Sequence, residues 1–184
     1  MNLFPLFPTQ IVGHDLSDFS QYRNKIVRYC YEQQQNNEGV KISNNGGWQS
    51  HELDIDVLEP VYNEVSEVLS KYLTTRFFFG LPWININPPQ TSNDRHTHPG
   101  SDLSAVLWIK TPKNSGQIEL TNPTYYESFN LINSVAAEFQ VSPSVAINPV
   151  EGRVIIFPSH ILHRVLVNQS DEDRISIAWN IKVE

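Results

Sequence analysis

The pattern of hydrophobic residues changes near position 76, and this change limits the folds that the chain can adopt. Before it, apolar residues recur every three or four positions, as they do in amphipathic helices. After it, short apolar runs are separated by proline, glycine and asparagine, as in the strands of a sandwich or barrel. Helices that precede many short strands predict an α+β, mainly β fold in which the helices pack outside one sheet.

Two segments before this change carry the helical pattern. Residues 15–35 predict a first helix, with Asp15 or Ser17 as its N-cap. Residues 57–73 predict a second helix, with Pro60 in its first turn, where proline is tolerated.

Short strands are predicted throughout the second part of the chain, at residues 77–79, 83–87, 103–110, 117–120, 144–147, 154–157, 165–167 and 175–183. A long insertion interrupts them at residues 122–143, with a helical pattern near 129–139. Insertions of this kind often cover a site at the mouth of a barrel.

Length and composition restrict the classes of function. The 184 residues predict a single domain, with a helical support region over 1–75 and a barrel core over 76–184. The net charge of −7 argues against charge-driven binding to nucleic acid or to a membrane. The single cysteine, Cys30, excludes an intrachain disulfide and a zinc–thiolate site. Because neither a signal peptide nor a long apolar run is recognisable, we expect a cytoplasmic protein.

A pair of histidines, His96 and His98, suggests a metal site. Residues two apart on an extended segment project to the same side, so both imidazoles can reach one metal ion. By itself the pair is weak evidence, because an exposed loop with two histidines explains it equally well. A further histidine, His163, follows about 65 residues later, after a buried strand.

The last predicted strand places Arg174 and Ser176 on one face and the apolar side chains of Ile175, Ile177 and Trp179 on the other. A strand that buries its apolar face normally exposes the other face to water, but inside a narrow barrel that polar face lines the cavity. An arginine that points inward needs an anion. A guanidinium next to a serine hydroxyl is well suited to a carboxylate.

Other polar residues in the chain have ordinary explanations. His160 is expected to pack behind the site, and His14 and His51 to be surface or capping residues. Asn85 and Asn87 share one face of their strand, where they either orient a ligand or form turn and edge hydrogen bonds.

The order of these motifs resembles the 2-oxoglutarate- and Fe(II)-dependent oxygenases, in particular a bacterial and phage-type branch of that superfamily. The residues that carry the resemblance are Trp83 to Asn87, His96-Thr97-His98-Pro99-Gly100, Pro149 to Gly152, Phe157-Pro158-Ser159, His163 and Arg174-Ile175-Ser176. The resemblance implies a double-stranded β-helix (jelly-roll, cupin-like) barrel with the N-terminal helices outside. It also implies Fe(II) as the metal and 2-oxoglutarate as the cosubstrate, in host-cell cytoplasm if the protein is viral.

The resemblance assigns roles to single residues. His163 matches the distal iron ligand, Arg174 matches the arginine that pairs with the far carboxylate of 2-oxoglutarate, and Ser176 matches the serine beside it. Asn87 is a further candidate for binding the cosubstrate. We predict that His96, His98, His163 and Arg174 are the catalytic residues.

The remaining iron ligands are open, because the usual site has two histidines and one carboxylate. If His96 is the first ligand, His98 occupies the carboxylate position and the site has three histidines. If His98 is the first ligand, that position holds Gly100 and the site has only two protein ligands, unless the nearby carboxylate of Asp94 or Asp102 serves as the third. We favour three histidines because two imidazoles already lie on one side, and three neutral ligands strengthen the attraction of the metal for an anionic cosubstrate.

Three functions are compatible with these residues. The resemblance implies a hydroxylase that acts on a protein side chain or a small metabolite and releases succinate and carbon dioxide. The missing carboxylate favours a non-catalytic cupin-like barrel that binds a metal or a small acid. A metal-dependent dioxygenase or isomerase without a cosubstrate would use Arg174 to bind its substrate. A homodimer is the default expectation for the assembly.

Overall fold

Twelve strands and two helices make up the described part of the chain, which in this computed structural model is residues 9–53, 56–124 and 142–184. A 3-10 turn, Asp56–Leu58, precedes the second helix. In chain order the elements are β1 (Val12–Asp15), α1 (Phe19–Asn36), β2 (Asn44–Asn45), β3 (Trp48–Gln49), α2 (Glu59–Leu69), β4 (Phe77–Phe79), β5 (Trp83–Asn87), β6 (Ser92–His96), β7 (Leu103–Lys110), β8 (Ile118–Thr121), β9 (Ser144–Ile147), β10 (Arg153–Pro158), β11 (His163–Val165) and β12 (Arg174–Val183).

The strands form two antiparallel sheets. The larger sheet has the order β1-β10-β7-β12-β5-β3, with β4 also paired to β12, and the smaller sheet has the order β2-β6-β11-β8-β9. Among the described strands no pairing joins one sheet to the other, so the predicted barrel is not closed. The two sheets instead face each other, and the space between them contains the site.

Two hydrophobic cores lie on opposite faces of the larger sheet. One packs both helices against its outer face and includes Ile26, Val65 and Trp179. The other lies between the two sheets and includes Trp108, Phe157 and Ile118. The predicted placement of the helices outside one sheet is therefore confirmed.

The helix boundaries differ from the prediction at the first N-terminus. Residues of Val12–Asp15 pair with β10, so α1 begins only at Phe19. The residue before it, Asp18, has φ 54 and makes no side-chain capping hydrogen bond, so the predicted caps at Asp15 and Ser17 are wrong. The second helix ends at Leu69 rather than at position 73, and Pro60 lies in its first turn as predicted.

The strands with strong apolar patterns were predicted at their observed positions. The ranges 83–87, 103–110 and 144–147 coincide with β5, β7 and β9. Four strands were missed: β1, β2, β3 and β6. Two of them have only two residues, and β6 has the sequence SNDRH, which lacks apolar alternation.

The predicted helical segment near 129–139 lies outside the described residues, and the division into a support region and a barrel core stays a prediction. Neither described helix combines the length and the apolar character that crossing a lipid bilayer requires.

One turn beside the site requires glycine. Gly116 has φ +90, and a Cβ atom there would collide with the backbone oxygen of Leu166. We expect Gly116→Ala to lower the free energy of unfolding by about 2 kcal/mol, because both the φ value and the contact are unfavourable. Gly13→Ala is the matched control, since nothing lies within 4 Å of the added atom. Urea denaturation of both variants checks the expectation, and equal midpoints would contradict it.

Candidate metal and cosubstrate site

The pairing of β6 with β11 brings the first histidine to the last one. His96 lies opposite His163 in the ladder, and Asn93 lies opposite Val165. From the first pair to the second, β6 advances three residues while β11 advances two, so β6 contains a bulge. The extra residue allows His96 and Asn93, three positions apart, to face the same cavity between the sheets.

The three imidazoles predicted as iron ligands converge. Nε2 of His98 lies 3.3 Å from Nε2 of His163, and the ring centroids of His96 and His163 are 4.3 Å apart. One ring nitrogen from each histidine lies within 4.8 Å of the other two. Two nitrogens bound at right angles to one metal ion, each at about 2.1 Å, are separated by about 3 Å. The spacing therefore fits a shared metal ion.

Backbone carbonyls orient two of these rings. Nδ1 of His96 donates a hydrogen bond to the carbonyl oxygen of Asp94 at 2.7 Å, and Nδ1 of His163 donates to that of Ile161 at 2.8 Å. Because a carbonyl oxygen only accepts, each Nδ1 carries the proton and each Nε2 keeps its lone pair. This is the usual arrangement of metal-binding histidines.

Burial keeps the histidines neutral. It lowers the pKa of His98 to about 3, with a further contribution from the charges of His163 and His96. Burial also lowers the pKa of His163 to about 4 and lowers that of His96. A neutral imidazole is the form that binds a metal ion, so no proton competes at neutral pH.

No carboxylate joins the three imidazoles within the described residues. Asp102 accepts a hydrogen bond from the backbone N–H of Val183 at 2.9 Å and lies 3.7 Å from Nζ of Lys182, away from the cluster. Asp94 is exposed and contributes its backbone oxygen to His96. The interpretation with Asp102 as third ligand is therefore wrong. An all-imidazole set still fits Fe(II), which accepts nitrogen ligands.

The predicted anion-binding arginine is buried and pairs with no carboxylate of the described chain. Arg174 has 2% of its surface exposed; its Nη2 donates to Oδ1 of Asn87 at 2.7 Å, and its Nη1 donates to the carbonyl oxygen of Gly116 at 3.5 Å. Its Nε has no partner, and none of its partners in the described chain is a carboxylate. Burial lowers its pKa to about 10, so the guanidinium remains charged at neutral pH. Such a buried cation is a binding site for an anionic ligand.

Two adjoining cavities meet at the histidines. An inner cavity of about 40 Å³ lies between the sheets and is lined by Arg174, Ser176 and Asn85 among others. An outer cleft of about 600 Å³ opens to solvent. Both are lined by Ser43, Trp83, His96 and His98. The imidazoles therefore separate a deep cationic chamber from an open cleft.

A chain of side-chain hydrogen bonds supports Arg174. Asn87, which accepts from the guanidinium, donates to Oδ1 of Asn93 at 3.2 Å, and Asn93 donates to Oγ of Ser43 at 3.3 Å. Asn87 was predicted to bind the cosubstrate; in the structure its amide contacts the arginine. Asn93 and Ser43 were not predicted: the bulge removes the period-two signal from β6, which contains Asn93, and Ser43 lies in a bend before β2.

The other three histidines lie outside the metal cluster, and one of them differs from the expectation. His160 is exposed, so the expected packing role is wrong. His51 is exposed as expected, but it lines the outer cleft. His14 pairs with Glu64 at 2.7 Å, far from this region in the fold.

Comparison of the sequence with models of known protein families gives one match. A family model described as "Putative 2OG-Fe(II) oxygenase" matches residues 82–180, more than half of the chain. No curated protein sequence matches significantly. The phage-type branch expected from the sequence stays a prediction.

Solved structures share the fold at low identity. A prolyl-4-hydroxylase from Pseudomonas putida has a TM-score of 0.62 and 14% identity, over 94% of this chain and 92% of that one. The viral collagen prolyl hydroxylase of Paramecium Bursaria Chlorella virus-1 has a TM-score of 0.63 and 16% identity, over 93% and 94%. The 2-oxoglutarate-dependent epimerase SnoN of nogalamycin biosynthesis has a TM-score of 0.71 and 12% identity, over 95% and 76%.

At these identities the structural likeness shows the fold alone. It confirms the predicted double-stranded β-helix architecture, although the two sheets are not closed into the predicted barrel. The activity follows from the family match, which includes every predicted ligand of the metal and the arginine. The chain belongs to the 2OG-Fe(II) oxygenases, enzymes that use Fe(II) and 2-oxoglutarate.

Proposed function

We propose that this oxygenase hydroxylates a protein side chain or a small metabolite, with His96, His98 and His163 as the ligands of Fe(II). Arg174, with Ser176 beside it, binds the far carboxylate of 2-oxoglutarate. The observation that supports this proposal is the convergence of three neutral imidazoles between the chamber of Arg174 and the open cleft. Bound iron would activate O2, of which one oxygen atom converts C–H to C–OH and the other enters succinate as 2-oxoglutarate loses carbon dioxide.

The division into two spaces favours this function over the two alternatives. A dioxygenase or isomerase without a cosubstrate needs only one bound substrate, held by Arg174. The outer cleft would then have no role. A non-catalytic barrel needs no space for a second molecule beside the metal. An oxygenase needs the cosubstrate and the substrate on different sides of the metal, and the inner cavity with Arg174 and the outer cleft lie on different sides of the imidazoles.

The protein's own contribution is placement and electrostatics. Asn87 and the carbonyl of Gly116 hold the guanidinium before any ligand arrives, so little reorganisation is needed on binding. The carbonyls of Asp94 and Ile161 hold the imidazole lone pairs toward one point. The neutral ligands leave the positive charge of the metal intact, and Arg174 adds another. A dianionic acid is therefore attracted from both ends.

The ligand assignment is tested by His163→Ala, with His160→Ala as the matched control because His160 is exposed. Under anaerobic conditions we expect the wild type and the control to show the visible charge-transfer band of Fe(II) with 2-oxoglutarate. The His163→Ala variant should lose the band and the release of succinate. A band of equal strength in His163→Ala would disprove the assignment. Absence of the band and of metal binding in the wild type would disprove the proposed function.

The role of Asn87 is tested by two substitutions. Asn87→Ala leaves Nη2 of Arg174 without its hydrogen bond, so we expect 2-oxoglutarate to bind about tenfold more weakly, which corresponds to about 1.4 kcal/mol. Asn87→Asp should weaken the binding of 2-oxoglutarate further, because the new carboxylate neutralises the charge of Arg174. Titration of the charge-transfer band measures both dissociation constants. Metal affinity without 2-oxoglutarate is the internal control and should stay unchanged; if Asn87→Asp binds 2-oxoglutarate as well as the wild type, the role is refuted.

The neutral histidines predict how the stability of the metal-free protein depends on pH. In the folded state the pKa values of His98 and His163 are about 3 and 4, below the ordinary value of 6.5. Below about pH 6.5 the unfolded chain binds protons that the folded chain does not, so stability should fall from there toward about pH 4. Each histidine contributes up to about 1.4 kcal/mol per pH unit.

Chemical denaturation in the presence of a chelator, at pH values of about 7, 6 and 5, measures this slope. A His98→Asn/His163→Asn double variant should have a shallower slope, and His160→Asn should keep that of the wild type. Equal slopes in the double variant and the wild type would show that these imidazoles are not held neutral by the fold.

A further inference from the structure

The wall of the outer cleft contains a buried hydrogen-bond acceptor that has no donor within the described chain. Gln49 has 5% of its surface exposed and lines the cleft, and its Oε1 has no hydrogen-bond partner. Its backbone is fixed, because β3 pairs with β5 and the N–H of Val40 donates to the carbonyl oxygen of Gln49 at 2.8 Å. A buried amide oxygen without a donor is costly, so a ligand that donates an N–H or O–H group would stabilise this wall.

Two carboxylates line the same cleft. Asp94 lies two residues before His96 and Glu52 follows shortly after Gln49, and both side chains are exposed. Neither forms an ion pair or a side-chain hydrogen bond with another residue of the described chain. Both are therefore available to a ligand, and Asp94 is next to the proposed metal ligands.

The only cationic side chain that lines this cleft within the described chain is engaged elsewhere. Nη2 of Arg95 donates to Oε1 of Glu119 at 3.1 Å, and Arg164 also binds Glu119, through Nε at 2.9 Å and Nη2 at 3.1 Å. Two carboxylates against one guanidinium leave the cleft with a formal charge of −1. The cleft thus has the opposite sign from the chamber behind the histidines, where Arg174 is the charged group.

Apolar side chains complete the cleft. Val40, Ile42 and Trp83 line it, and Ile42 is 76% exposed. The indole of Trp83 lies beside the ring of His98, with centroids 5.6 Å apart. An aliphatic chain against these residues would lie close to the metal ligands, while its polar end reaches the carboxylates.

We infer that the substrate of the outer cleft is an organic cation: an aliphatic chain that ends in an ammonium or guanidinium group, which Asp94, Glu52 and Oε1 of Gln49 recognise. This inference rests on the proposed function and adds the substrate class. The same chemistry is presented by a free amine and by a lysine or arginine side chain of a peptide. The cleft volume of about 600 Å³ is that of a typical small-ligand site and holds either.

Binding to the Fe(II)–2-oxoglutarate complex under anaerobic conditions tests the inference without turnover. The probes are butylammonium, its neutral relative butyramide and its anionic relative butyrate, together with short peptides that carry one lysine, one arginine or one glutamine. Calorimetry gives the dissociation constants. We expect a cationic probe to bind at least tenfold more tightly than the neutral and anionic probes. Tighter binding of a lysine or arginine peptide identifies a basic side chain as the source of the cation. Tighter binding of the free amine identifies a metabolite.

Three variants connect the binding to the named residues. The affinity for the cationic probe should fall at least threefold in each of the variants Asp94→Asn, Glu52→Gln and Gln49→Met. The control variant Glu67→Gln, which changes an exposed carboxylate on α2, should leave this affinity unchanged. Equal binding of cationic, neutral and anionic probes would overturn the inference, as would an affinity that none of the three variants alters or an absence of binding by every cationic probe.

The same samples separate this inference from the proposed function. The charge-transfer band reports the metal and 2-oxoglutarate independently of the cation. A normal band without cation binding refutes the substrate class alone. Cation binding that follows the variants, in protein that forms no band, refutes the oxygenase site and leaves the cleft assignment intact.

Discussion

The alternation of side chains along β12 is the constraint on which the site depends. This strand lies between β5 and β7 in the larger sheet, so its backbone hydrogen bonds are taken on both sides. Ile175, Ile177 and Trp179 face the helices, and Arg174 and Ser176 face the smaller sheet. A shift of one residue would place a guanidinium in the hydrophobic core. The burial of Trp179 under the helices thus maintains the position of Arg174 in the chamber.

Charge is distributed so that the site is incomplete without its ligands. The chamber holds a charged guanidinium with no anion, and the three imidazoles offer lone pairs with no proton on the Nε2 atoms of His96 and His163. Each of these groups has lost water of hydration on folding. A metal ion and a dicarboxylic acid together satisfy all of them. Metal binding and cosubstrate binding should therefore favour each other, since each compensates part of the same electrostatic imbalance.

The sequence was informative wherever the pattern was periodic or the motif spacing was specific. The strand at Trp83–Asn87 and the two faces of β12 were predicted because their apolar residues alternate or run continuously. The convergence of His96, His98 and His163 followed from a resemblance in the order of motifs. The oxygenase family was reached in the same way, and the family match over residues 82–180 confirms it.

What could not be predicted depends on long-range geometry. The strand that carries His96 is polar throughout, so only its pairing with β2 and β11 makes it a strand. The position of Asp102 at the end of β12 is set by a contact 81 residues away in sequence, with Val183. The unsatisfied oxygen of Gln49 is visible only when burial is known. Closure of the barrel was overestimated, because alternation along strands does not determine whether two sheets join at their edges.

The bulge in β6 makes the orientation of its side chains depend on the number of residues in this part of the chain. Between Asn93 and His96 the strand has one residue more than its partner, and that residue decides which side chains face inward. A substitution at the bulged positions leaves the register of the strand unchanged. Loss or gain of a single residue there would turn either Asn93 or His96 away from the cavity. The metal ligand His96 and the hydrogen-bond chain that supports Arg174 would then no longer face the same space. Relatives of this enzyme should therefore keep the length of this segment constant.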